Sequence, residues 1–313
     1  PRAPVLISSS MTSSEIVMHL GNHGCKDISQ ELKQESSTSH PVSRGGFGDV
    51  YRGCLRDGSS VAIKIIRLAN LECTTKDETV LKRTARELYT WSKCRHPNVH
   101  TLLGLAVFED RIAMVSHWME NGDLKQYLNR NPGANRFRMS TQLCRGLSYL
   151  HKVGIVHGDL KAANVLVSND GAPMLTDFGS ATLKECAVQF TCTNLITPFS
   201  SRWAAPEVLI GDTCNPMGDI YALAMTILEV LTGKVPYYDV DERAVIRQVM
   251  TNKRVPKRPE DQLPTGIVYG DRLWKLLVKC WSYVPEERPT AVTTTKIVSM
   301  PARTWLFSKV DSS

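Results

Sequence analysis

The sequence predicts an α+β fold in which a small antiparallel sheet with one helix precedes a larger, mainly helical part. Three observations carry this reading. An alternating apolar run from Val61 to Ile66 follows a turn at Asp57-Gly58, and Val50-Tyr51 lead into that turn, which suits an antiparallel hairpin. Further on, Met139, Leu143, Leu147 and Leu150 form one helical stripe, and Asp219 to Leu231 is apolar nearly all round, as a central buried helix requires. A chain of 313 residues with 42% apolar and 22% charged content also has material for one large core or two lobes.

Taken in order, residues 1–26 are rich in serine, with few large apolar residues after Ile7, and are expected to be flexible. The chain starts with Pro rather than Met, so a fragment or a processed form is expected. Order is expected from Asp27, since Pro41-Val42-Ser43 already leads into a glycine-rich turn. Between Lys76 and Lys93, the spacing of Val80, Leu81, Ala85, Leu88 and Trp91 predicts a helix that carries Glu87. Ile112 to Ser116 reads as a buried strand, and two strand-like runs are joined by Asn169-Asp170-Gly171. An aspartate buried at the start of the Asp219–Leu231 helix would need hydrogen-bond partners. After Pro289, Thr293-Thr294-Thr295 and Ser299-Met300-Pro301 interrupt any amphipathic pattern, which predicts a divergent or shortened end and a loss of stability.

Composition excludes several classes. No stretch approaches the roughly twenty apolar residues that span a bilayer, and Pro4 to Ile7 is too short for a signal core, so cytoplasm or nucleus is expected. The 9 cysteines contain no C-x-x-C pair and leave an odd count, which points away from a zinc site or disulfide framework and toward reduced thiols. The net charge of +7 is spread along the chain; its densest group, Lys253, Arg254, Lys257 and Arg258, is broken by Pro256 and reads as a solvated loop rather than a nucleic-acid patch.

The chemistry is concentrated in His157-Gly158-Asp159-Leu160-Lys161-Ala162-Ala163-Asn164-Val165-Leu166 and Thr176-Asp177-Phe178-Gly179. Asp159 can accept a proton from an attacking hydroxyl, and Lys161 can steady a moving phosphoryl group. Asn164 and Asp177 supply the hard oxygens that Mg²⁺ prefers. Upstream stand Ser43-Arg44-Gly45-Gly46-Phe47-Gly48-Asp49-Val50 and Val61-Ala62-Ile63-Lys64, and downstream Ala205-Pro206-Glu207. Five motifs in this order resemble a eukaryotic-type protein kinase domain, and the Trp203-Ala204-Ala205-Pro206-Glu207 context with Lys161 resembles the tyrosine-kinase-like group of serine/threonine kinases.

The resemblance implies a bilobal protein kinase fold over 27–300, with an N-lobe at 27–119 and a C-lobe at 120–300, and a divergent tail at 301–313. It implies ATP and Mg²⁺ as cofactors and proteins as substrates, with phosphoryl transfer to serine or threonine and no nucleic-acid partner. By the same resemblance, Asp159, Lys161 and Asn164 are catalytic and Asn164 and Asp177 hold the metal. The nucleotide lies against Ser43, Arg44, Gly45, Gly46, Phe47, Gly48, Val50, Ala62, Ser116 and Leu166, with Lys64 on the phosphates, Glu87 orienting Lys64, and the Met119 backbone at the adenine. Asp219 is implied to accept backbone N–H groups of the catalytic loop, and Arg288 to pair with Glu207.

Departures from the family pattern define the alternatives. Gly158 replaces the arginine that usually gathers a phosphorylated activation loop, so little dependence on phosphorylation of Thr191, Thr193 or Thr197 is expected. Ser43 takes the first glycine position, and a left-handed backbone there would cost about 1–2 kcal/mol and loosen nucleotide binding. Phe199 stands beside Ser200, whose hydroxyl could bridge Asp159 and Lys161. These features favour, as the alternative, a pseudokinase scaffold with little turnover, whereas Lys64, Glu87, Asp159, Asn164 and Asp177 favour an active enzyme. A small-molecule phosphotransferase would not need Ala205-Pro206-Glu207 and a matching Arg288.

Overall fold

A computed structural model describes residues 13–22, 24–45, 48–65, 87–109, 111–183, 200–211 and 214–299. The chain divides into one unit of Pro1–Glu120 with Asp177–Leu195 and a second of Asn121–Thr176 with Ile196–Ser313. Gly46, Phe47, Thr191, Thr193, Thr197, Phe199 and the tail 301–313 lie outside the described residues, as do Val80, Leu81 and Ala85 of the expected helix.

In the first unit, strands β1 (Leu32–Lys33), β2 (Ser43–Gly45), β3 (Gly48–Leu55), β4 (Ser60–Ile65), β5 (Leu102–Phe108) and β6 (Arg111–His117) form an antiparallel sheet. Its order is β1-β3-β4-β6-β5, with β2 beside β3. The expected hairpin joins β3 to β4. Its turn holds Gly58 at φ +93°, and the Ser59 N–H donates to Asp57 Oδ1 at 2.8 Å. Strand geometry sends alternate side chains to opposite faces. Val61, Ile63 and Ile65 are therefore buried against Ala106, Phe108, Ala113 and Val115, while Ala62 and Lys64 stand half-buried on the other face.

The segment expected to be flexible contains helix α1 (Ser13–Asn22), which buries Ile16, Val17 and Leu20. Three apolar residues on one face are enough here, because burial of each contributes about 1.5–3 kcal/mol. The chain beyond α1 is then fixed by backbone pairing, with Ile28 N–H donating to Leu105 C=O and Leu105 N–H to Lys26 C=O, both at 2.9 Å. Gly104 permits this approach, since a Cβ there would come within 2.4 Å of the Lys26 carbonyl oxygen. Helix α2, of which residues 87–92 are described, buries Glu87, Leu88, Thr90 and Trp91.

The second unit is mainly helical. Helices α3 (Leu124–Arg130) and α4 (Arg136–Lys152) are N-capped by Asp123 and Asn135, whose side chains accept from Gln126 N–H and Arg138 N–H. Met139, Leu143, Leu147 and Leu150 of α4 are buried as their stripe predicts. After β7 (Ile155–Val156), the short strands β8 (Val165–Val167) and β9 (Pro173–Leu175) pair through the turn that ends at Gly171, φ +79°. Helix α5 (Pro206–Leu209) is followed by α6 (Pro216–Thr232), where every residue from Gly218 to Leu231 is buried and Gly233 closes the helix at φ +73°. Helices α7 (Glu242–Met250) and α8 (Val268–Cys280) follow.

The expected break after Pro289 is replaced by helix α9 (Ala291–Val298). Thr290 caps it by accepting from Thr293 N–H. Its threonines fit because their hydroxyls fold back on the helix: Thr294 Oγ1 donates to Thr290 C=O at 3.0 Å and Thr295 Oγ1 to Ala291 C=O at 2.8 Å. The Tyr269 and Thr141 hydroxyls donate to Val298 C=O and tie the far end to α8 and α4. Among the described residues, no helix is long and apolar enough to cross a membrane.

Candidate active site

Two clusters contain the residues singled out from the sequence, one in each unit. In the first, Lys64 Nζ donates to Glu87 Oε1 at 2.8 Å and to Asp177 Oδ1 at 2.9 Å. Burial alone would push the Lys64 ammonium down, but the Glu87 and Asp177 carboxylates outweigh it and hold it above the ordinary lysine value. Lys64 therefore stays charged. Asp177 has a left-handed backbone, φ 64° and ψ 73°, a conformation that aspartate tolerates better than most residues and that tends to gather at functional sites. The next residue, Phe178, is buried and stacks on Trp91 with ring centroids 6.0 Å apart. Trp91, one turn beyond Glu87, donates its indole N–H to His100 C=O. The turn after Asp177 is thus packed against the helix that supplies Glu87.

The nucleotide-loop expectations fall on one face of this sheet. Cross-strand pairing sets Val50 opposite Lys64 and Ala62 opposite Ser116, so period two places Val50, Ala62, Lys64 and Ser116 together. Met119 is half-buried between Trp118, whose ring lies 5.1 Å beneath the Arg52 guanidinium, and Glu120, with which that guanidinium pairs. Ser43 departs from expectation. It lies in β2, paired with Val50, and has no left-handed backbone, so the anticipated strain and its effect on nucleotide binding do not arise. Arg44 and Gly45 continue that strand, and among the described residues of the loop the positive φ falls on Gly48, +144°.

In the second unit, Lys161 Nζ donates to Asp159 Oδ2 at 2.8 Å and to Ser200 Oγ at 2.7 Å. The expected serine bridge is therefore present on its lysine side. Asn164 Nδ2 donates to the Asp159 carbonyl at 2.8 Å and to Asp159 Oδ2 at 2.9 Å, which orients the carboxylate. Leu166 sits in β8 opposite Met174. The loop is held from below by Asp219, whose Oδ2 accepts from His157 N–H at 2.8 Å and whose Oδ1 accepts from Gly158 N–H at 2.9 Å, with His151 Nε2 at 2.9 Å from Oδ2. These partners explain how an aspartate is tolerated at 2% exposure. Gly158 has φ +81°, a conformation that glycine adopts without the strain of other residues.

The platform beyond the loop is equally fixed. Arg288 donates to both Glu207 carboxylate oxygens, at 2.6 and 2.8 Å, and also to Ser282 C=O and Met217 C=O. Two contributors escaped the sequence reading. Arg202 donates to the Pro236, Tyr237 and Val240 carbonyls, and Glu229 accepts from Ala162 N–H and Trp203 Nε1–H, both at 3.0 Å. Burial pushes the Glu229 carboxyl up, against the two hydrogen bonds. A second carboxylate, besides Asp219, in a helix buried all round was the available signal for Glu229; a guanidinium on three carbonyls leaves no pattern in sequence.

Each cluster by itself carries groups that suit a hard cation or a phosphate. In the second unit Asn164, with its amide N–H₂ committed to Asp159, has its carbonyl oxygen to offer. In the first unit the Asp177 carboxylate stands beside the fixed positive charge of Lys64. Among the described residues there is no cluster of three His, Cys, Asp or Glu side chains that would indicate a different metal centre.

Residues 37–298 match the family model described as protein tyrosine and serine/threonine kinase. The chain is 30% identical over 264 residues to the tyrosine-protein kinase Src64B of Drosophila melanogaster, covering 82% of this chain and 45% of that protein. It is also 30% identical over 259 residues to the serine/threonine-protein kinase STY46 of Arabidopsis thaliana, covering 80% and 41%. The chain therefore spans less than half the length of these two relatives, one of each hydroxyl specificity.

Proposed function

We propose that this chain, which belongs to the protein tyrosine and serine/threonine kinase family, transfers the γ-phosphoryl group of ATP to serine and threonine hydroxyls of protein substrates. The choice of hydroxyl rests on one observation: the Lys161 ammonium is held between Asp159 Oδ2 and Ser200 Oγ. In this reading Asp159 accepts the proton of the attacking hydroxyl, and Lys161 faces the negative charge that develops on the transferred group. Ser200 fixes the ammonium without adding charge, and Asn164 keeps the Asp159 carboxylate oriented. Lys64, fixed by Glu87, meets the phosphate oxygens. Mg²⁺, when bound, neutralises phosphate charge, and Asn164 and Asp177 would hold it through oxygen. We place the reaction in the cytoplasm, with the nucleus as the alternative.

The test is transfer of labelled γ-phosphate from Mg-ATP to a generic basic protein, comparing the wild type with Asp159→Asn and followed by phosphoamino-acid analysis. Label on serine or threonine that is lost in the variant is expected. Label on tyrosine would overturn the specificity, and equal background in both proteins with ATP still bound would favour a binding module over an enzyme.

A further inference from the structure

We propose that a second groove of the second unit, apart from the Asp159 loop, docks an acidic, partly apolar peptide segment of a protein partner. The groove encloses about 780 Å³. Its floor includes Pro206 and Tyr221, and the Tyr221 ring is held 5.3 Å from the Arg288 guanidinium. One wall is the loop after α7 and the other is the end of α8 with the turn that follows it.

Three features of the walls specify the ligand. The first is charge. Lys253 and Lys279 line the groove and, among the described residues, neither has a carboxylate partner; Arg254 has only Asp239 at 3.5 Å. Lys253 also has a left-handed backbone, φ +46°, and extends its ammonium over the Tyr283 ring at 4.8 Å. Such conformations persist where surroundings over-determine them, and they gather at ligand sites. The second feature is apolar surface: Val255, Val278 and Tyr283 remain 38%, 39% and 39% exposed between these cations. The third is an unmet donor. Trp281 lines the groove and is 3% exposed, and its buried indole N–H has no acceptor among the described residues.

Two carboxylates also line the groove, Glu286 and Glu287, against the three cations Lys253, Arg254 and Lys279, and Glu287 accepts from Ser282 Oγ at 2.6 Å. A concave site with cations flanking an apolar strip fits a peptide better than a membrane surface, where Glu286 and Glu287 would face anionic headgroups.

The proposal is tested by fluorescence anisotropy on the full chain, with labelled short peptides that alternate leucine with glutamate, glutamine or lysine. The glutamate peptide is expected to bind about tenfold more tightly than the glutamine peptide, to weaken with salt, and to resist displacement by Mg-ATP. Lys253→Glu with Lys279→Glu should lower its affinity at least about tenfold while phosphoryl transfer to a basic protein is kept. Lys279→Glu alone, on an exposed helix end, should give a smaller loss of the same sign. Equal binding of the glutamate and glutamine peptides, an unchanged affinity in both variants, or binding only to phosphatidylserine vesicles would each overturn it.

Discussion

Replacing Ser200 by alanine isolates the contact on which the proposed hydroxyl specificity depends. The Ser200 oxygen accepts from Lys161 Nζ at 2.7 Å, and the same ammonium donates to Asp159 at 2.8 Å. A hydrogen bond to a charged group contributes about 1.5–3 kcal/mol. Lys161 is 22% exposed at its side chain, so water can replace part of the lost contact and the low end of that range applies. About 1.5 kcal/mol corresponds to roughly a tenfold fall in rate. Initial-rate kinetics on a serine peptide should show kcat and kcat/KM falling together, because the contact steadies a group whose charge partner appears only in the transition state. Ser200→Thr, which keeps the oxygen, should remain within a few-fold of wild type, and thermal stability should be unchanged in both variants. A Ser200→Ala enzyme with wild-type rates would refute the reasoning, as would a threonine variant as slow as the alanine one.

Three further outcomes are expected. Arg288→Ala leaves Glu207 buried without its bidentate partner and should lower the stability of the second unit by about 3–5 kcal/mol in urea unfolding, whereas replacing both residues by methionine should recover most of the loss; a loss under about 1 kcal/mol in the single variant would contradict the assigned brace. Glu229, whose carboxyl is pushed up by burial, keeps a proton at pH values where the unfolded chain has released it, so its contribution to stability falls as pH rises above about 4.3. Glu229→Gln keeps an acceptor for both N–H donors and should gain on the wild type as pH rises toward neutrality, and parallel stability curves would count against the argument. Because Gly158 carries no guanidinium to gather a phosphate, the combined change of Thr191, Thr193 and Thr197 to alanine should retain most activity, and its abolition in a labelled-phosphate assay would show that another group takes that role.

The residues of the two clusters were legible because they sit in short local motifs whose chemistry depends on residue type. Lys64, Asp177 and Glu207 sit in local motifs, Glu87 and Arg288 were implied by the family resemblance, and Lys64 meets Glu87 and Asp177, and Arg288 meets Glu207, although they are far apart in sequence. Helix α9 was not legible for a different reason. Threonine lowers helix propensity on average, yet Thr294 and Thr295 satisfy their hydroxyls within the helix, an outcome fixed by packing against α4 and α8. Helix α1 was missed because its apolar residues are few and gain their worth only where the backbone around Ile28 pairs with Leu105. Ser43 shows the reverse error: a family glycine suggested a backbone conformation that the β2 pairing does not require.

Asp219 and Glu229 lie on the same helix, α6, ten positions apart, and each accepts a backbone N–H from one stretch of the catalytic loop: Asp219 at His157 and Gly158, Glu229 at Ala162. The helix thus works as a ruler of about 15 Å against which Asp159 and Lys161 are set. One residue inserted between the two marks would swing one carboxylate through about 100° and shift it about 1.5 Å relative to the other. The number of residues between Asp219 and Glu229 is therefore as much a part of the candidate active site as the side chains themselves.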